Sequence, residues 1–281
     1  MKPRRLFILT ATAMIAFAAN SLLCRAALRD TAIDAASFTS IRIFSGAAAL
    51  WLIMKLRGTS WREAGNWFSA LALFAYAAAF SFAYRTLSAG TGALLLFGAV
   101  QATMILWGLH KGERLRALQV LGLGVALGGL IVLLLPGLSA PPLSGSTLML
   151  AAGVAWGAYS LRGKREANPA GATAGNFIRA VPMAMALGVV MISAMRLDPA
   201  GAGYAILSGA LASGCGYVIW YTALPGLKAA SAATVQLSVP VVTAAGGIVL
   251  LGEALTWRFM LASVAILGGI ALVVLERRPR A

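Results

Sequence analysis

Long apolar runs alternate with short polar clusters along this chain, and within the runs the apolar positions are continuous rather than every second residue. A helix that spans a bilayer needs about 20 mainly apolar residues. The runs predict ten such helices, over 6–28, 36–56, 67–87, 90–109, 115–136, 145–161, 172–195, 204–224, 229–251 and 257–275. Helices are required because a spanning strand shows an alternating pattern of about ten residues, whereas a helix satisfies every backbone group within its own segment. The third–fourth and eighth–ninth connections are very short, so those pairs form antiparallel hairpins. The basic start and first apolar run resemble a signal peptide. That run is long enough to span, and nine similar ones follow, so it reads as a retained first helix.

Composition agrees with the pattern. Sixty per cent of the 281 residues are hydrophobic and 11% are charged, against about 25% charged in a soluble domain. The expected solvent is the lipid bilayer. A net charge of +15 would suit nucleic acid if it were gathered on one surface, but Lys and Arg stand in small groups between the runs. With the N-terminus placed inside, 16 fall on inner segments, four on outer segments (Arg29, Arg85, Arg196, Arg258) and three within helices (Arg25, Arg42, Arg179). That asymmetry puts both termini in the cytoplasm and argues against a nucleic-acid partner. Cys24 and Cys215 lie inside apolar runs, with the spacing of neither a disulfide framework nor a metal site.

The second half echoes the first. Leu115 and Leu127-Gly128-Gly129 reappear 140 residues later as Leu255 and Leu267-Gly268-Gly269, each block preceded by Gly-Glu (Gly112-Glu113, Gly252-Glu253). Phe17-Ala18-Ala19-Asn20-Ser21-Leu22 answers to Trp156-Gly157-Ala158-Tyr159-Ser160-Leu161, and Ile41-Arg42 to Ile178-Arg179. The expected organisation is all-α: ten transmembrane helices in a 5+5 inverted-topology repeat, residues 1–138 and 139–281, sharing one central cavity. Five helices per repeat is an odd number, so the second half enters the membrane upside down. Two such halves can exchange conformations, which is the basis of alternating access.

Ten helices, the repeat, and Gly-Glu-X-Leu before the last helix of each half (Gly112-Glu113-Arg114-Leu115 and Gly252-Glu253-Ala254-Leu255) together resemble the drug/metabolite transporter superfamily, EamA-type. Over its whole length the chain is most similar to YddG-type aromatic amino acid exporters of bacterial inner membranes. The resemblance implies export of aromatic and other neutral amino acids. It also implies that helices three, four, eight and nine pack centrally, with five and ten at the periphery.

A midplane cavity needs polar groups to orient a substrate and apolar walls to hold it. Near the helix middles lie Asn20, Tyr76, Phe80, Phe97, Gln101, Trp156, Tyr159, Tyr217, Trp220 and Gln236. Each amide in hydrocarbon must find a partner, either a neighbouring helix or a substrate. Tyr84, Trp51, Trp67 and Trp257 sit near helix ends and read as an interfacial belt. Arg42 and Arg179 stand at matching positions of the second and seventh helices and need pairing. Two readings are open: gating contacts across the repeats, Arg42 with Glu253 and Arg179 with Glu113, or a reach to lipid phosphate or backbone carbonyls. Arg25 is a rival partner on the outer side. Pro182 and Pro240 fall inside the seventh and ninth helices, where each removes a backbone hydrogen bond and allows a kink.

All eight acids lie in loops or at helix ends, and His110 is also peripheral. That leaves no midmembrane proton relay, no metal site and no catalytic set, so neither an enzyme nor a cofactor is expected. The expected partners are the bilayer and a small amphipathic or zwitterionic substrate, moved by alternating access without ion coupling. Export of other metabolites or drugs, or a channel, are the alternatives. One chain contains both halves, so an oligomer is not required.

Overall fold

The computed structural model describes residues 2–60, 64–112, 114–137, 140–163, 166, 168–227 and 229–275. Glu113, and with it the expected contact to Arg179, lies outside the described residues. All regular structure among them is helical: α1 (Pro3–Asp30), α2 (Ala35–Leu56), α3 (Trp67–Tyr84), α4 (Ala89–His110), α5 (Ala117–Leu134), α6 (Leu143–Gly163) and α7 (Pro169–Val190). The eighth span is composite, α8 (Pro199–Ile206), a π-helical segment (Leu207–Cys215) and α9 (Gly216–Ala223). The ninth is α10 (Ala229–Gln236) followed by α11 (Ser238–Leu251), and α12 (Trp257–Leu275) is the last. Among the described residues nine helices are long and apolar enough to cross a membrane. The 21-residue α6 occupies the remaining predicted position, its apolarity lowered by Ser144, Ser146, Thr147, Ser160 and Arg162.

Helix starts are set by side-chain caps, which explains why several helices begin before their apolar run. Asp198 accepts from the Gly201 N–H at 2.7 Å with Pro199 in the first turn, so α8 starts five residues ahead of the predicted 204. Asn168 does the same for α7 through Gly171 at 3.0 Å, with Pro169 following. Such caps satisfy amides that have no partner inside the helix and contribute about 1 kcal/mol each. Asp34, Asn66 and Ser88 cap α2, α3 and α4 in the same way.

The two prolines behave differently. Pro240 has no N–H to offer the Gln236 carbonyl, and the ninth span breaks there, with the Leu237 N–H tightened onto the Thr234 carbonyl at 3.1 Å. Pro182 is carried inside an uninterrupted α7.

Helix ends sort into two faces. On the face where α1 begins, the Asn66 N–H meets Asn176 Oδ1 at 2.9 Å and Gln119 Nε2 meets the Val273 carbonyl at 3.1 Å. On the opposite face the Arg196 N–H donates to Asp34 at 2.8 Å and Arg29 reaches the Leu251 carbonyl at 2.6 Å. Between the faces, α3 packs on α6 and α7, α4 on α6 and α11, α2 on α7 and the π segment, and α1 on α8, the π segment, α9 and α11. α5 and α12 pack mainly on each other.

The α5–α12 contact depends on glycine. A Cβ on Gly122 would stand 2.6 Å from the Gly269 carbonyl oxygen, and one on Gly129 would stand 2.7 Å from the Ala265 Cβ. Small residues let backbones approach, which in lipid replaces the hydrophobic drive for association. The rest of α5 points outward, with Val120, Leu121 and Ile131 more than half exposed, as peripheral helices should. α4 is central as expected, with 61% of its most apolar stretch buried. The ninth span is less covered than expected, with 28% of its Thr234–Leu251 stretch buried, the same share as α5, although α11 packs on both α4 and α1. Tyr84 departs too. It is fully buried and donates to the Ala89 carbonyl at 3.2 Å, whereas Trp51, Trp67 and Trp257 are exposed as a belt requires.

Candidate functional site

At the centre of the bundle, aromatic side chains from α1, α3, α4, α6 and α9 meet. Phe17, Asn20, Ser21, Tyr76, Phe80, Leu96, Phe97, Trp156, Ala212 and Tyr217 line a cavity of about 20 Å³, the space of about one water. The rings contact one another edge-on or tilted: Phe17 with Tyr217 at 5.8 Å between centroids, Tyr76 with Trp156 at 4.9 Å, Trp156 with Tyr217 at 4.9 Å. Each such pair adds about 0.5–1.5 kcal/mol beyond burial. Phe17 and Trp156, matched in the sequence echo, thus converge on one space from α1 and α6.

A polar chain runs along one wall. Ser208 donates to Asn20 Oδ1 at 2.6 Å, and Asn20 Nδ2 donates to the Tyr76 hydroxyl at 3.1 Å. Arg42 donates to the same hydroxyl at 3.1 Å and, through Nε and Nη2, to Ser213 Oγ at 3.4 and 3.3 Å. The Arg42 head also lies 5.1 Å from the Tyr76 ring centroid and 4.9 Å from that of Phe80. Removing a guanidinium from water costs several kcal/mol. Ring contacts at about 2 kcal/mol each when desolvated offset part of that. Ser208 and Ser213 reach this wall because of the π segment. Its i→i+5 hydrogen bonds bring residues five apart onto one side, where an α-helix would set them about 140° apart. Gly209 in the same segment lets α2 come close: a Cβ there would lie 2.1 Å from the Arg42 carbonyl oxygen.

Six of the ten predicted binding residues line the cavity: Asn20, Tyr76, Phe80, Phe97, Trp156 and Tyr217. Two stand behind it, Tyr159 stacked on Trp156 at 5.4 Å and Trp220 edge-on to Phe17 at 6.0 Å. The remaining amides are elsewhere. Gln101 is buried with its Nε2 unpartnered, and Gln236 turns back to the Ala232 carbonyl of its own helix at 3.3 Å. Sequence reasoning missed Phe17, Ser21, Leu96 and Ala212 in the lining and the two serines in the wall.

Polar contacts tie helix ends together on both faces of the bundle. On the Asp34 face, Arg25 Nε pairs with Glu253 Oε1 at 3.1 Å, Arg25 also donates to the Tyr84 carbonyl at 3.0 Å, and Glu253 Oε2 accepts the Ala89 N–H at 2.8 Å. The pairing of Arg42 with Glu253 is thereby corrected in favour of Arg25. Arg42 lies about two turns inside α2 with its head among the rings, whereas Glu253 sits at the α11–α12 corner against the N-terminus of α4, whose dipole favours a carboxylate. On the opposite face Arg162 donates to Ser69 Oγ at 3.0 Å and Asn66 Oδ1 at 3.1 Å, and Arg179 donates to the Ala64 carbonyl at 2.9 Å. Arg179 therefore reaches a backbone carbonyl, one of the two readings open from sequence. A separate, wider cleft of about 230 Å³ opens beside Glu253, between Thr86–Thr91, Pro141–Pro142 and Ala254–Phe259.

Comparison with known proteins gives this geometry its context. Residues 143–275 match the EamA-like transporter family. The chain is 57% identical, over 100% of its own length and 98% of the relative's, to "Uncharacterized protein PA1977" of Pseudomonas aeruginosa. It is 23% identical to an "Uncharacterized transporter" of Archaeoglobus fulgidus, covering 96% of this chain and 97% of that one. A second Archaeoglobus fulgidus "Uncharacterized transporter" is 28% identical over 68% of this chain and 70% of its own. A solved crystal structure shares the fold with a TM-score of 0.67 at 19% identity, over 97% of this chain and 99% of that one. The chain belongs to one family with the Pseudomonas aeruginosa protein, and it is an integral membrane protein whose residues 143–275 match an EamA-like transporter domain.

Proposed function

We propose that this transporter moves small amphipathic metabolites, above all aromatic and other neutral amino acids, outward across a bacterial inner membrane by alternating access. The observation that carries the reading is the ring-lined cavity at the centre of the bundle, with its Asn20–Tyr76–Arg42 wall. A space for about one water is too small for an amino acid, so the walls must part to admit one. In alternating access, one face opens while the other shuts.

An inverted repeat of residues 1–138 and 139–281 is supported by the packing. Under an exchange of the halves, the α3–α6 contact corresponds to that of α1 with the eighth span, and the α2–α7, α4–α11 and α5–α12 contacts correspond to themselves. The count of inner and outer Lys and Arg supports placing the α1 start, and both termini, on the cytoplasmic side. Absence of ion coupling is supported by the acids: Asp30, Asp34, Glu166, Asp198 and Glu253 all sit at helix ends or in loops. Pro240, at the break in the ninth span, is a candidate hinge, and Arg25–Glu253 a candidate latch.

The test is uptake of radiolabelled phenylalanine and tryptophan into proteoliposomes, with and without an imposed proton or sodium gradient. Saturable flux and counterflow without a gradient are expected. Flux only with a gradient would overturn the uncoupled mechanism, and no flux of either in folded protein would overturn the substrate class.

A further inference from the structure

Arg42 is 2% exposed and stands eight residues into α2. Its Nε and Nη2 are occupied by the Ser213 and Tyr76 hydroxyls. Its Nη1 has no partner at all. Among the described residues no carboxylate forms an ion pair with it; Glu253, expected from topology, is taken by Arg25. A buried cation is normally paired, and one left with neutral partners and an idle pair of N–H donors is incomplete. Among the described residues, ring faces and hydroxyls surround Arg42, and no anion pairs with it.

The unpartnered Nη1 lies beside the cavity. The two rings against which Arg42 lies, Tyr76 and Phe80, are both cavity walls. The cavity is too small for any metabolite, so a wall must move on substrate entry. Displacement of either ring brings the substrate against the guanidinium. Around the same space no lining residue is acidic, so a substrate ammonium would find neutral oxygens and ring faces only.

We infer that Arg42 is the anchor for a carboxylate on the transported molecule, and that the carboxylate rather than the amino group is what the site requires. This deepens the reading of the cavity as a substrate site and rests on it. A guanidinium presents its donors as a planar fork that matches a carboxylate with two parallel bonds. Phe80, Trp156, Phe97 and Tyr217 then take an aromatic body. The preferred ligand class is an aromatic monocarboxylate, with aromatic amino acids accepted through their carboxylate and aromatic amines excluded.

The experiment compares 3-phenylpropionate, phenylalanine and phenethylamine on wild-type protein, both as competitors of flux in proteoliposomes and as ligands in detergent by thermal shift. The expected ranking has phenylpropionate at least as potent as phenylalanine and phenethylamine weaker by 30-fold or more. Arg42→Gln is expected to erase that ranking, and Arg42→Lys to keep its order with weaker affinity. Phenethylamine equal to phenylpropionate on the wild type would overturn the inference while leaving an aromatic carrier in place; this arm needs no variant to fold. A carboxylate-specific ligand that binds through Arg42 while phenylalanine is not carried would uphold the anchor and overturn the amino acid reading. Failure of every carboxylate tried to bind or to compete would overturn the anchor.

Discussion

The Glu253→Gln variant tests whether the Arg25–Glu253 contact is what keeps the Asp34 face shut. Glu253 gathers two donors, Arg25 Nε at 3.1 Å and the Ala89 N–H at 2.8 Å, with the two side chains 15% and 10% exposed. At that burial the pair is only lightly screened by solvent. A hydrogen bond involving a charged group contributes about 1.5–3 kcal/mol. A glutamine keeps one acceptor oxygen, so it retains one of these bonds in neutral form and loses the other. If the contact exists only while the face is closed, the lost energy appears entirely as a shift of the opening equilibrium, roughly 10- to 100-fold.

Cys24 is a built-in reporter, being fully buried and adjacent to Arg25. In a Cys215→Ser background, a membrane-impermeant maleimide applied to the Asp34 face should label Cys24 roughly 10- to 100-fold faster in Glu253→Gln than in the parent. Arg25→Gln should give a similar increase, and the double variant should exceed either single by less than about twofold, since both remove one contact. Unchanged labelling in both singles, with folding verified by gel filtration, would refute the latch. Fully multiplicative effects would show that the two residues act independently and would refute it equally.

The other predictions concern separate parts of the molecule. Gly209→Ala places a Cβ 2.1 Å from the Arg42 carbonyl oxygen and the Ser45 Oγ, and should lower stability by about 3 kcal/mol or more, read as the thermal midpoint in detergent. Pro240→Ala should let the ninth span close into one helix, raising the thermal midpoint while slowing counterflow; an unchanged transport rate would remove the break from the mechanism. Burial pushes the Asp34 carboxyl pKa up, but hydrogen bonds from the Arg196 backbone, the Ser37 side chain and backbone, and the Ala36 backbone outweigh it and hold the pKa below its usual value. Its stabilisation is therefore complete above the unfolded value of about 3.9 and lost as pH falls through the lower folded value. Thermal midpoints of Asp34→Asn should consequently fall less than those of the parent as pH drops below about 4.

Helix number and most of the cavity wall were legible because both follow from one property, the cost of placing polar groups in hydrocarbon. A tyrosine or amide in mid-helix stands out, and Asn20, Tyr76 and Tyr217 do meet at the centre. Rotation about each helix was not legible. Gln236 satisfies the same requirement by folding back on its own helix, so depth alone does not separate it from Asn20. Ser208 and Ser213 were hidden by a change of helical period, since an α-helical reading sets them on different sides. Phe17 was visible only as the partner of Trp156 in the echo, because a phenylalanine in an apolar run carries no signal of its own. Tyr84 was misplaced because nearness to a helix end says nothing about which neighbour covers it. Here it is covered by α4, where a Cβ on Gly92 would be 2.4 Å from the ring.

The echo between the halves has a further physical consequence. Arg42 and Arg179 occupy matching sequence positions, yet one is sealed among rings and the other reaches the Ala64 carbonyl at the edge of the bundle. The difference lies in what each helix meets. α2 is held tightly to the π segment through Gly46 and Gly209, where an added Cβ would meet the Gly209 carbonyl oxygen at 3.1 Å or the Arg42 carbonyl oxygen at 2.1 Å, and Arg42 is buried. α7 approaches the segment around residue 64 through Gly175, where a Cβ would stand 2.2 Å from the Ala64 carbonyl oxygen, so Arg179 finds a backbone acceptor within reach. A duplicated sequence thus carries two cations, but the packing leaves only Arg42 next to the cavity walls. The central space is consequently asymmetric in charge between the two halves, which allows one site to fix the orientation of a polar-ended substrate.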